Sequence, residues 1–159
     1  MAKRKIFYSF HFDNDVMRVQ LVRNIGSIEG NTPVSPNRWE EIKNSGDKQI
    51  KDWIEENMKG KSCVVILVGE KTADRKWVKY EIKKAWKDGK GVLGIHIHNL
   101  KCARNGYSSK GKNPFEQFTF DDGTKLSSLV KCYDPKANDT YNDIKNNIEG
   151  WIDEAINNR

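Results

Sequence analysis

The sequence predicts an α/β three-layer sandwich, in which a central, mostly parallel sheet carries helices on both faces. Two observations predict it: short uninterrupted apolar runs rich in β-branched residues, and amphipathic stretches of helical period between them. With 159 residues and 36% hydrophobic content, the chain has the size of one domain. Residues 1–159 are therefore expected to form a single unit.

Lys5 to Phe10 (KIFYSF) reads as the first strand, apolar enough to be buried on both faces. Asp13 or Asn14 then caps a helix carrying Val16, Val19 and Val22 or Arg23. Thr32 to Ser35 reads as a short edge strand, since two nearby prolines lack the N–H that a central position needs. Ser45 caps a helix with Ile50, Trp53, Ile54 and Met58, and Gly60 stops it. Cys63 to Val68 (CVVILV) is the second buried strand. Asp74 caps the helical stretch Arg75 to Trp86, which Gly89 ends, and Val92 to Ile97 (VLGIHI) is the third buried strand. Residues 99–127 are polar and glycine-containing, with an aromatic cluster of Phe115, Phe118 and Phe120; they are expected to be an irregular insertion packed over the domain edge. Leu129 to Tyr133 is a weaker strand. The last segment, Asp139 to Asn157, spaces Tyr141, Ile144, Ile148, Trp151, Ile152 and Ala155 as the stripe of an amphipathic helix.

Strand and helix in alternation imply right-handed βαβ crossovers and hence a flavodoxin-like sheet. Ligands of such sheets bind outside the carboxyl ends of the strands, which directs attention to the residues just after Phe10, Gly69 and Ile97.

A net charge of +6 favours an anionic partner without choosing one. The basic N-terminus, MAKRKIFYSFHF, lacks the apolar core of a secretory signal, and no apolar run approaches the roughly 18 residues of a membrane span. Cys63, Cys102 and Cys132 are odd in number and widely spaced, as reduced core thiols of a cytoplasmic protein are. No membrane partner is expected. Lys48, Lys51, Lys83, Lys84, Lys87, Lys90 and Lys110 fall mostly on polar faces and ends of helices with no recognition motif beside them, so a nucleic-acid partner is not expected either.

Two further patterns carry weaker chemistry. Gly106 to Asn113 (GYSSKGKN) nearly matches a phosphate loop, but Asn113 has no hydroxyl for magnesium and Pro114 follows where a helix must continue. His96 and His98 alternate along one strand and share a face, a spacing that with Cys102 would suit a metal; neighbouring ligands are missing, so histidines hydrogen-bonded at the carboxyl edge are expected, and no metal.

The stretch Arg75 to Trp86 (RKWVKYEIKKAW) holds one carboxylate among five lysines and arginines. On a helix, Val78, Ile82 and Ala85 form the core stripe, while Trp77 and Glu81 stand one above the other on the adjoining face. Periodicity leaves Glu81 beside the core stripe, either as a surface glutamate or as the acidic centre of a site.

Cys63 to Ile82, CVVILVGEKTADRKWVKYEI, resembles the central segment of Toll/interleukin-1 receptor (TIR) domains, with Trp77, Glu81 and Ile82 at that family's tryptophan, glutamate and aliphatic positions. Phe7 to Asp13 (FYSFHFD) resembles its opening strand. The nearest resemblance is to the bacterial TIR-like branch that includes the NAD-consuming subunits of Thoeris antiphage defence; SFHF at Ser9, RWEEIK at Arg38, WVKYEI at Trp77, GIHI at Gly94 and KGKNPF at Lys110 carry it. The chain departs from TIR enzymes at Asp74-Arg75 and Val78, where they often carry serine before the tryptophan and cysteine after it.

That resemblance implies cleavage of the nicotinamide–ribose bond of NAD+, with Glu81 as the catalytic carboxylate and NAD+ as substrate rather than resident cofactor. It further implies that Phe10 and Trp77 present aromatic faces to the bases, that Ser9 and His11 bond ribose or phosphate, and that Arg38 meets the diphosphate. Trp39 either shapes the pocket wall or packs in the core. The product would be ADP-ribose or a cyclic ADP-ribose-type messenger read by a separate effector protein, with homo-oligomerisation on activation. The competing reading is a non-catalytic TIR-like adaptor that signals by domain assembly. A flavodoxin-like or receiver-like regulator fits less well, because a receiver needs an aspartate where this chain has Val68-Gly69.

Overall fold

A computed structural model of the chain describes residues 5–11, 18–19, 21–22, 29–30, 42, 44–101 and 107–159. Among them the apolar runs build a five-stranded sheet: β1 (Lys5–Ser9), β2 (Glu29–Gly30), β3 (Cys63–Val68), β4 (Gly91–His96) and β5 (Cys132–Tyr133). Every pairing is parallel and the spatial order is β2-β1-β3-β4-β5. All six residues of β3 and all six of β4 are buried, as continuous apolarity requires of strands covered on both faces.

Side-chain alternation divides the core in two. Phe7, Val64, Ile66, Val68 and Val92 meet Ile50, Ile54 and Met58 of α1 (Asp47–Met58) and Val78, Ile82 and Ala85 of α2 (Lys76–Lys87). On the opposite face, Ile6, Tyr8, Val65, Leu67, Leu93 and Ile95 meet Val19, Val22, and Ile144, Ile148 and Ile152 of α3 (Thr140–Asn157). Each Val, Leu, Ile, Phe or Met among them, fully buried, contributes about 1.5–3 kcal/mol of hydrophobic stabilisation. The result is the flavodoxin-like arrangement that the alternation of strands and helices predicts, and the one that the resemblance to TIR domains implies.

Several details differ from expectation. The first strand ends at Ser9 rather than Phe10, β4 begins one residue earlier than Val92, and β5 is confined to Cys132–Tyr133 because Leu129, 51% exposed, leaves the sheet. The described edge strand is Glu29–Gly30; the expected one at Thr32 to Ser35 lies outside the described residues, as do Asp13 and Asn14. Ser45 does not cap α1, since its hydroxyl donates to the Ile42 carbonyl at 2.7 Å and the cap position falls to Gly46. Asp74 does not cap α2 either; that position is Arg75, with no side-chain hydrogen bond.

The aromatic segment after β4 enters the core. Phe115, in a short 3₁₀ turn (Pro114–Gln117), is fully buried on the α1–α2 face. It fits because β4 offers Gly94 there: a Cβ on Gly94 would lie 3.0 Å from the Phe115 ring and 2.9 Å from Cys132 Sγ. Phe118 is half-buried, and Phe120 packs against Trp86 with ring centroids 5.9 Å apart. No helix among the described residues is long and apolar enough to cross a membrane.

Candidate active site

Strand order reverses between β1 and β3, so their carboxyl ends open the crevice in which sheets of this kind bind ligands. Ser9, the last residue of β1, pairs with Ile66 of β3 and is 1% exposed. Its side chain shares the face of Phe7, the face that α2 covers. There the Ser9 hydroxyl donates to Glu81 Oε1 at 3.1 Å.

Glu81 is the one carboxylate on the inner side of α2. It is 7% exposed beside Val78, Ile82 and Ala85, while Arg75, Lys76 and Lys83 of the same stretch stand in solvent. Burial pushes its carboxyl pKa up to about 8, the Ser9 hydroxyl opposing that shift, and no cation among the described residues contributes. A desolvated carboxyl without a cation is costly to ionise in an empty site. Such a group is poised to ionise when positive charge arrives beside it.

The other expected residues are placed less uniformly. Phe10 is half-buried against the core of the opposite, α3 face, so it does not share Glu81's side of the sheet. His11 follows, also half-buried. Trp77 lies one helical turn before Glu81, half-buried, with its ring edge-on to Tyr80 at 5.7 Å and Lys76 Nζ 4.8 Å from its centroid. It lines an outer groove with Lys51, Tyr80 and Phe118. Arg38 and Trp39 lie outside the described residues.

His96 and His98 are both buried at the carboxyl end of β4, with rings 5.8 Å apart. Burial lowers the pKa of each below the usual histidine value. The expected hydrogen bonding is incomplete: His96 Nε2 contacts Cys132 Sγ at 3.5 Å, but Nδ1 of either ring has no partner among the described residues. Burial also pushes the Cys63 and Cys132 thiols up to about 12, and both are free. No group of three or more histidine, cysteine or acidic side chains among the described residues could hold a metal, and Cys102 falls outside them.

Sequence reasoning missed two features of this edge. The turn after β3 is closed by Thr72, fully buried, whose hydroxyl accepts from Gly69 N at 2.8 Å. The segment Tyr107–Asn113 lies across the same edge, with Gly111 against the Gly69 carbonyl. KGKNPF was legible as a motif, but only the close approach of two glycine backbones places it here.

A parallel sheet in this order, covered by helices on both faces, defines an α/β protein of the flavodoxin-like class. Residues 7–102, from β1 through β4, match the family model described as "Thoeris protein ThsB, TIR-like domain". A protein of Bacillus cereus (strain MSX-D12) named "Putative cyclic ADP-D-ribose synthase ThsB1" is 34% identical over 134 residues, covering 79% of this chain and 69% of that protein. The chain belongs to the Thoeris ThsB TIR-like family.

Proposed function

We propose that this chain cleaves the bond between nicotinamide and ribose in NAD+ and closes the ADP-ribosyl group into a cyclic ADP-ribose-type nucleotide. The observation that carries the reading is the buried Ser9–Glu81 pair at the crevice between β1 and β3. Similarity to a protein named for cyclic ADP-D-ribose synthesis supports the product class.

The chemistry needs one carboxylate. Glycosidases generally require a second group to protonate a poor leaving group, whereas nicotinamide departs from its cationic form as a neutral amine. What remains is positive charge spreading over the ribose ring. Glu81, ionised beside that charge and held by Ser9, stabilises it without reorganising. An atom of the same ADP-ribosyl group then attacks the anomeric carbon and releases a proton, giving the cyclic product; water in its place gives ADP-ribose. A cyclic nucleotide made here acts as a diffusible messenger for a separate effector protein.

Chromatography of products from purified protein and NAD+ tests the reading. Nicotinamide and a cyclic nucleotide in equal amounts are expected. NAD+ recovered intact, even at protein concentrations high enough for copies to associate, contradicts it and favours an adaptor role.

A further inference from the structure

The segment Tyr107–Asn113 is fastened across the carboxyl edge at three points and capped at its end by a local hydrogen bond. Ser108 N donates to the His98 carbonyl at 3.0 Å, and Lys110 Nζ lies 2.8 Å from Asp134 Oδ2. Gly111 rests on the end of β3 so closely that a Cβ there would stand 2.0 Å from the Gly69 carbonyl oxygen. Asn113 Oδ1 accepts from Phe115 N at 2.9 Å, and the buried Phe115 anchors the segment in the core.

These fastenings leave two lysines in different states. Lys110 is neutralised by Asp134. Lys112, next to the contact with Gly69, is exposed and forms no ion pair among the described residues. Gly69 lies three residues beyond Ile66, the partner of Ser9, which is about 10 Å along the strand at roughly 3.3 Å per residue. A ribose held at Glu81 carries its 5′ diphosphate in that direction when it lies along the crevice. Where the strap meets the edge, His96 Nδ1, His98 Nδ1 and Ser108 Oγ are buried with no hydrogen-bond partner among the described residues, so this junction is polar and incompletely paired.

We propose that the strap Tyr107–Asn113 is a wall of the nucleotide site and that Lys112 holds the diphosphate of NAD+ against it. This rests on the reading of Glu81 as the carboxylate that meets the ribose. The strap does not work as a magnesium-bearing phosphate loop, because Asn113 and Pro114 follow Lys112; it supplies one ammonium as a point charge. Gly111 sets the position of that charge, since any side chain there lifts the strap off Gly69.

Calorimetric titration with ADP-ribose and with adenosine tests this directly. The wild type binds ADP-ribose more tightly than adenosine; Lys112→Ala weakens ADP-ribose about tenfold, as loss of one charge-assisted contact does, and leaves adenosine unchanged. Lys112→Arg stays within about threefold of the wild type, because the charge is kept. Gly111→Ala weakens ADP-ribose as well, although Lys112 is present. Unchanged ADP-ribose affinity in Lys112→Ala, or a wild type that binds ADP-ribose no better than adenosine, overturns the proposal. Binding through Lys112 with NAD+ left intact contradicts the cleavage reading alone. Glu81-dependent nicotinamide release together with undiminished ADP-ribose binding in Lys112→Ala contradicts this proposal alone.

Discussion

Glu81 pays in stability for its position. With its carboxyl raised from 4.5 to about 8, the folded chain holds a proton that the unfolded chain has lost anywhere between those values. Stability therefore falls as pH rises through the window, by up to about 1.4 kcal/mol per unit. Glu81→Gln removes the titrating group and keeps the shape. Thermal melts are expected to show the variant near the wild type at pH 5 and increasingly above it toward pH 8, at roughly 2–4 °C per kcal/mol; parallel curves contradict the burial of the charge. Ser9 acts through Glu81. Its hydroxyl stabilises the ionised form, so under the proposed function kcat/KM for nicotinamide release is expected to rise with pH toward about 8 in the wild type, and Ser9→Ala to move that rise to higher pH. An unmoved profile in Ser9→Ala removes its positioning role. Spacing on the helix placed Glu81 beside the core stripe but left its burial open, because burial depends on Ser9, 72 residues away.

At the scale of elements, legibility follows how local the cause is. β3 was readable to the residue and β4 to within one, since a run buried on both faces declares itself in its own sequence. Helix starts were less so: Ser45 and Asp74 are good capping types, but Ser45 is taken by the Ile42 carbonyl and α2 begins at an uncapped Arg75. The entry of Phe115 into the core was hidden for a different reason. It needs a space made by Gly94 on a strand read separately. Filling that space by Gly94→Ala brings a Cβ to 3.0 Å from the Phe115 ring and 2.9 Å from Cys132 Sγ, and overpacking of this kind costs about 1–3 kcal/mol. Denaturant unfolding is expected to show that loss, and Phe115→Leu is expected to cost less in the Gly94→Ala background than in the wild type. Additive losses mean that the two residues do not compete for the space.

Across the whole molecule, strand order gives the site its place. Alternating strands and helices indicated a parallel sheet, and resemblance in the segments from Phe7 to Ile97 indicated TIR; neither gave the strap its contact with Gly69, which joins residues 42 apart through two glycine backbones. The reversal between β1 and β3 brings Ser9, Glu81 and that strap to one edge. Trp77 and Phe10 were expected to present aromatic faces to the bases; Trp77 lies edge-on to Tyr80 on the α2 side and Phe10 packs on the α3 face. The decisive measurement is nicotinamide release from NAD+ by wild type and Glu81→Gln, both shown folded by their melts at the assay pH. The account predicts a loss of about 10²–10³-fold, the usual effect of removing one preorganised electrostatic contact. Equal release by the two proteins contradicts it.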